Sequence, residues 1–172
     1  SHQSLYLASM YPIGGILSGG VSRRMGQDKA LLELGEASLL ERSVELLGPL
    51  CDEIWIVSRD ASHTHPGAKT IADPGQGPLV ALAELHPQRP ILVLAVDMPG
   101  VDLPLLKALL AVETECPAVV FEQDAIWQPF PGLYRPVAFD LARRMVAAGT
   151  QSMQAVLRAA GPMILQAASP QQ

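Results

Sequence analysis

Cysteine is scarce: Cys51 and Cys116 are the only two in 172 residues, and they stand in no C-x-x-C or zinc-type spacing. That excludes a disulfide-framed scaffold and points to a reducing compartment. Charge is thin as well, with Asp, Glu, Lys and Arg making 17% of the chain, where about 25% is usual. Twelve Lys and Arg face seventeen Asp and Glu, for a net charge of −5. A general nucleic-acid binder needs the opposite balance, because neutralising phosphates takes an excess of cations. Long apolar runs are missing. The best candidate, Ile91 to Val96, ends at Asp97, far short of the roughly 20 residues that span a bilayer. Ser1 to Met10 has neither a basic n-region nor an apolar h-region, so it does not read as a secretory signal. The opening Ser1-His2 looks appended rather than native. These absences predict a soluble, cytoplasmic protein without nucleic-acid or membrane partners. His2, His63, His65 and His86 have no ligand spacing with a carboxylate, which argues against zinc, and His63 and His65 are expected in a solvated loop.

Apolar residues make 49% of the chain. With so little charge, that excludes intrinsic disorder. The length suits one domain, which buries about 70% of its unfolded surface without staples. We expect it at residues 13–172, behind an extension at 1–12. The 15 prolines and 14 glycines are spread along the chain and punctuate many short elements. Strands are predicted at Ile13–Leu17, Ile54–Val57, Lys69–Ala72, Ile91–Val96 and Ala118–Phe121, with Leu133–Tyr134 as an edge strand between prolines. Asp52 and Glu53 are assigned to a loop, and Met163–Leu165 is a candidate late strand. Helices are predicted after the Ser38-x-x-Glu41 capping box, at Leu79–His86, from an Asp102 N-cap to about Val112, at Phe139–Ala148, and at Gln151–Ala160 with Thr150 as N-cap and Gly161 as stop. Wholly apolar strands alternating with helices indicate an α/β fold of three layers, with a mostly parallel sheet covered on both faces.

Ligands of such folds bind beyond the carboxyl ends of the strands. Two segments there carry unusual residues: Ser18 to Lys29, and Asp97 to Pro99. In the first, Gly19 and Gly20 let backbone N–H groups approach an anion, and Arg23, Arg24 and Lys29 bring three cations to one loop. An ammonium about 4 Å from a phosphate oxygen gains roughly 4 kcal/mol at an effective dielectric of about 20. The loop matches neither the Walker A pattern nor the dinucleotide fingerprint. It reads as a polyphosphate cradle or as a surface loop with solvated arginines. Asp97 closes the most apolar strand, where an unpaired buried carboxylate would be costly. Turn N–H groups or a Mg²⁺ ion would compensate it. Asp102 reads as a helix cap, Asp73 as a turn residue. Asp28 would order the loop arginines. Trp55 reads as packing. Trp127 and Gln128 either pack or approach a second substrate. Both cysteines read as inert buried thiols.

The segment Leu17-Ser-Gly-Gly-Val-Ser-Arg-Arg-Met-Gly-Gln-Asp-Lys29 resembles the signature loop of the MobA-like nucleotidyltransferases, L-x-G-G-x-S-x-R-M-G-x-D-K. Within them it is most similar to the molybdenum cofactor guanylyltransferases. Ala30 to Gly35, Leu39 to Arg42, Gly77-Pro-Leu79, Val96 to Pro99, Gln128-Pro129 with Leu133-Tyr134, and Gly149 to Leu157 follow in the family's order. The resemblance implies a Rossmann-like nucleotidyltransferase fold. It implies transfer of a nucleoside monophosphate from an NTP to a phosphorylated acceptor, with release of pyrophosphate. GTP and a molybdopterin-type acceptor would be the substrates, Mg²⁺ the cofactor, and molybdenum cofactor insertion proteins the partners.

Carried over residue by residue, Leu17, Ser18 and Gly19 would hold base and ribose, and Gly20, Arg23 and Lys29 the triphosphate. Lys29 would neutralise charge growing on the α-phosphate. Asp97 would hold the Mg²⁺, Asp73 would accept from guanine N–H groups, and Gly77 would allow close approach of the nucleotide. Lys29, Asp97 and Arg23 would be the catalytic set. Ser18-Gly19-Gly20 favours guanine over the cytidylyl relatives, which tend to carry Ala-Ala-Gly. Two departures stand out. Val57-Ser58 lies where many relatives have Asn, and Ala167 to Pro170 does not match the family's late Asn-Thr-Pro segment. The second departure keeps a non-catalytic nucleotide-binding relative open as an alternative.

Overall fold

β1 (Ile13–Leu17), β2 (Glu53–Ser58) and β4 (Ile91–Ala95) are apolar along almost their whole length, a composition that suits strands covered on both faces. A computed structural model of the chain describes residues 11–18 and 39–167. Its remaining strands are β3 (Lys69–Ala72), β5 (Ala118–Gln123), β6 (Ile126–Tyr134) and β7 (Met163–Gln166). Among the described residues, seven strands form one sheet in the order β3-β2-β1-β4-β6-β5-β7. The pairings β1–β2, β1–β4, β2–β3 and β5–β7 are parallel, while β6 runs antiparallel to both β4 and β5.

Helices cover both faces. They are α1 (39–47), α2 (Pro78–Ala83), α3 (Leu103–Ala111), α4 (Pro136–Ala147) and α5 (Met153–Ala160). Successive strand residues point to opposite sides, so β4 sends Ile91 and Val93 into one core and Leu92 and Leu94 into the other. The first core holds Leu79 and Leu82 of α2, Phe139 of α4 and Leu157 of α5. The second holds Leu40 and Leu47 of α1 and Leu106 and Leu109 of α3. Gly14 explains how closely α1 lies on the sheet. A Cβ there would stand 2.9 Å from Leu47 Cδ1 and 3.2 Å from Cys51 Sγ.

Four predicted features are corrected. Leu133–Tyr134 belongs not to an edge strand but to the nine-residue β6, which lies between β4 and β5. Its prolines are tolerated because the register jumps. Val120 pairs with Gly132, whereas Phe121 pairs with Gln128, so residues 129–131 fall in a bulge where no ladder N–H is required. The cap of α5 is Ser152, whose side chain accepts from Ala155 N at 3.2 Å, rather than Thr150. Helix α4 starts at Pro136, because proline at a first helical position sacrifices no internal bond. Glu53 joins β2 rather than a loop, and its Oε1 accepts from Trp55 Nε1 at 2.8 Å. Asp102 does cap α3, accepting from Leu105 N at 3.0 Å, and Gly161 closes α5 with φ 64°. Ser38 of the capping box lies outside the described residues.

The contact between α1 and β1 gives the first prediction. Leu47→Ala should cost about 2–5 kcal/mol, and Gly14→Ala about 1–3 kcal/mol by overpacking. Because the shortened side chain makes room for the new methyl, the double variant should lose less than the sum in urea unfolding. Strict additivity would contradict the contact.

Candidate active site

The four parallel strands β1 to β4 present their carboxyl ends along one edge. From β1 the chain moves outward to β2 and β3, then returns to β4 on the other side of β1. Helix α1 covers one face and α2 the other. This reversal places a crevice between the carboxyl ends of β1 and β4, where ligands of open α/β sheets bind. The register sets Leu17 level with Val57 on one side and Ala95 on the other.

Backbone bonds carry the order beyond the strands. Val96 N donates to Leu17 O at 3.0 Å across the crevice, Ser18 N to Val57 O at 3.0 Å, and Asp73 N to Ser58 O at 3.0 Å. Leu17, Ser18, Asp73 and Asp97 therefore share one edge, and Gly77 follows Asp73 on the same side. Gly19, Gly20, Arg23, Arg24, Asp28 and Lys29 lie outside the described residues. In sequence their loop leaves the sheet at Ser18, the mouth of the crevice.

Asp97 corrects an expectation. It is exposed, one position past the buried Val96, so no burial cost needs compensating. Among the described residues, no three or more His, Cys, Asp or Glu are grouped to hold a metal. A cage built from protein ligands is therefore not offered by them. A single outward carboxylate fits a hard divalent ion that takes its remaining ligands from phosphate oxygens and water.

The turn after β3 is built by Asp73, whose Oδ1 accepts from Gly75 N at 2.7 Å. Gly75 and Gly77 have φ of 83° and 96°, a region that L residues rarely adopt. A Cβ on Gly75 would come within 2.8 Å of Arg59 Nε, whereas the space around Gly77 is open to 4 Å. Gly77 O accepts from Ala81 N at 3.1 Å and so starts α2. The turn reading of Asp73 thus holds for one of its oxygens.

Two features escaped the sequence reading. Ser18 and Ser58 are buried, at 4% and 2% exposure. Both hydroxyls face His63 Nδ1, at 3.5 and 3.0 Å. Asp60 N donates to Ser58 Oγ at 3.1 Å. On the other side of the ring, Nε2 faces Asp60 Oδ2 at 3.7 Å. Hydrogen bonds from the Ser62 hydroxyl and backbone hold the Asp60 carboxyl below its ordinary range. His63, with its side chain 18% exposed, is thus not a solvated loop residue. The second feature is Arg42 on α1, which donates to Met98 O at 3.2 Å, Pro99 O at 3.0 Å and Val101 O at 2.8 Å. Neither contact leaves a local signal. Ser58 and His63 are joined by a loop, and Arg42 lies more than fifty positions from its acceptors.

Gly132 of β6 pairs with Val93 of β4, so the antiparallel β5–β6 hairpin tip projects past the carboxyl end of β4. Trp127 and Gln128 are half-buried there. Trp127 Nε1 donates to Glu122 Oε2 at 3.1 Å, Trp127 O accepts from Gln154 Nε2 at 2.7 Å, and the ring packs on the first core. Cys51 is no nucleophile, because burial pushes its thiol up to about 12. No helix among the described residues is long and apolar enough to cross a membrane.

The profile described as "MobA-like NTP transferase domain" matches residues 14–164. A protein of Synechococcus elongatus named probable molybdenum cofactor guanylyltransferase is 35% identical over 154 residues, covering 81% of this chain and 79% of that protein. A protein of the same name from Chloroflexus aggregans is 38% identical over 159 residues, covering 85% and 76%. The crystal structure of molybdopterin-guanine dinucleotide biosynthesis protein A from Archaeoglobus fulgidus superposes with a TM-score of 0.70 at 24% identity, covering 90% of this chain and 83% of that one. The 2-C-methyl-D-erythritol 4-phosphate cytidylyltransferase of Thermus thermophilus shares the fold, with a TM-score of 0.65 at 15% identity over 93% and 94% of the two chains. NTP transferases of this kind generally use a divalent metal. With a Rossmann-like α/β fold, a crevice at the strand reversal and a family match over most of its length, this chain belongs to the MobA-like NTP transferases and is a nucleotidyltransferase.

Proposed function

We propose that the protein transfers GMP from GTP to the phosphate of molybdopterin and releases pyrophosphate. The observation that carries the reading is the alignment at the β1–β4 crevice. The signature loop departs from Ser18 on one side, and the exposed Asp97 carboxylate stands on the other. The names of the curated relatives support the substrates.

In this reading the backbone of Leu17, Ser18 and Gly19 holds base and ribose, while Gly20, Arg23 and Lys29 bind the triphosphate. Asp73 accepts from guanine N–H donors, and Gly77 lets the nucleotide lie close to the main chain. Asp97 holds Mg²⁺. When bound, that ion supplies charge neutralisation to the phosphate oxygens. An oxygen of the acceptor phosphate attacks the α-phosphorus, the bond from the α-phosphorus to the bridging oxygen breaks, and pyrophosphate carries away the electron pair. Lys29 offsets the charge that builds on the α-phosphate oxygens. The chain contributes positioning and electrostatics, and no covalent protein intermediate forms. We assign residues 13–172 to one domain and 1–12 to an extension. The reaction belongs in the cytoplasm, and the product passes to proteins that insert the finished cofactor.

Asp97→Ala and Lys29→Ala should each lower kcat/KM by about 100- to 1000-fold in a pyrophosphate-release assay with GTP, Mg²⁺ and molybdopterin. Asp97 lies outside the buried cores, so Asp97→Ala should remain folded, as checked by circular dichroism. Turnover at the wild-type rate by either variant would refute the assignment.

A further inference from the structure

We propose that Arg42 is a positioning residue for the reaction, fixing where Asp97 presents its carboxylate. The inference rests on the metal-holding role given to Asp97 above. Between Val96 and the Asp102 cap, Val101 is buried in the second core and Met98 packs against it. Pro99 has no N–H to donate, a Cβ on the exposed Gly100 would meet nothing within 4 Å, and Val101 N donates to Met98 O at 3.2 Å. Arg42 adds side-chain donors to this turn from a separate helix. Its guanidinium donates to three of the turn's carbonyls, at 3.2, 3.0 and 2.8 Å. A planar fork of fixed donors suits three acceptors at fixed angles, which a single ammonium cannot reproduce.

The origin of Arg42 matters as much as its targets. It stands on α1, the helix that follows the signature loop in sequence, and α1 is seated on β1 through the Gly14–Leu47 contact. Arg42 therefore ties the helix behind the phosphate loop to the turn behind Asp97. The β1–β4 ladder sets the two sides of the crevice, and Arg42 adds a side-chain tie between α1 and the Asp97 turn. A displacement of about 1 Å in a group that orients the reacting phosphates can cost about a hundredfold in rate.

A residue that only braced α1 against the sheet would change stability and nothing else, so the test reads metal binding directly. Mn²⁺ would be titrated with GTP present and followed by electron paramagnetic resonance, for wild type, Arg42→Ala, Arg42→Gln, Arg42→Lys and Asp97→Asn. Steady-state kinetics at saturating metal would accompany it. We expect Arg42→Ala to weaken Mn²⁺ binding about tenfold and to lower kcat by about 10- to 100-fold, with KM for GTP changed by less than about threefold. Arg42→Lys should recover part of both losses. Should the alanine variant fail to fold, Arg42→Gln keeps an amide donor and carries the same expectation. Wild-type Mn²⁺ affinity and kcat in folded Arg42 variants, with Asp97→Asn impaired, would overturn this proposal alone. Unchanged Mn²⁺ affinity in Asp97→Asn would overturn the metal role of Asp97, and this proposal with it.

Discussion

β1 is hydrogen-bonded along both edges, to β2 and to β4, in a register that sets Leu17 level with Val57 and Ala95. Its position admits no slip. A shift by one residue would turn Ile13 and Ile16 toward the wrong cores and drive Gly14 away from Leu47. Because β1 is locked, Ser18 leaves the sheet at one place only, and the loop that follows starts at the crevice. The bonds Val96 N to Leu17 O and Ser18 N to Val57 O transmit that order past the ends of the strands. The candidate site is thus a consequence of strand register more than of any single loop.

Charge distribution completes the picture. The chain is acidic overall, yet Arg23, Arg24 and Lys29 fall within twelve residues of Ser18. In sequence these cations follow the last described residue of β1's exit, while the exposed Asp97 carboxylate follows β4. Placing Asp97 in the open rather than in the sheet lets it take part in the shell of a divalent ion without the desolvation cost of a buried charge. The turn that carries Asp97 is anchored by Val101 in the second core and by the Arg42 guanidinium on its carbonyls.

Much of the fold was legible because parallel central strands are wholly apolar. Ile13–Leu17 and Lys69–Ala72 fall where the pattern puts them, and Asp102 caps its helix. The prolines of β6 read as marks of an edge, so the sequence pattern shows only the end of that strand. The bulge that absorbs Pro129 and Pro131 is a pairing event with β5, which no local pattern encodes. Thr150 and Ser152 are chemically similar caps, and only the path of the chain separates them. The burial of Asp97 was misjudged because the apolar run continues through Val96, whereas the strand itself ends at Ala95. The His63 contact and the Arg42 clamp are long-range and polar, invisible to periodicity. The signature loop is the reverse case: its residues are the most legible part of the sequence and stand outside the described structure.

Calorimetric titration of the protein with GTP, CTP, ATP and UTP, each with and without Mg²⁺, tests the central claim most directly. The account predicts that GTP binds in preference to the other three and that its binding requires the metal. Preference for CTP, or binding of no nucleotide at all, would contradict it.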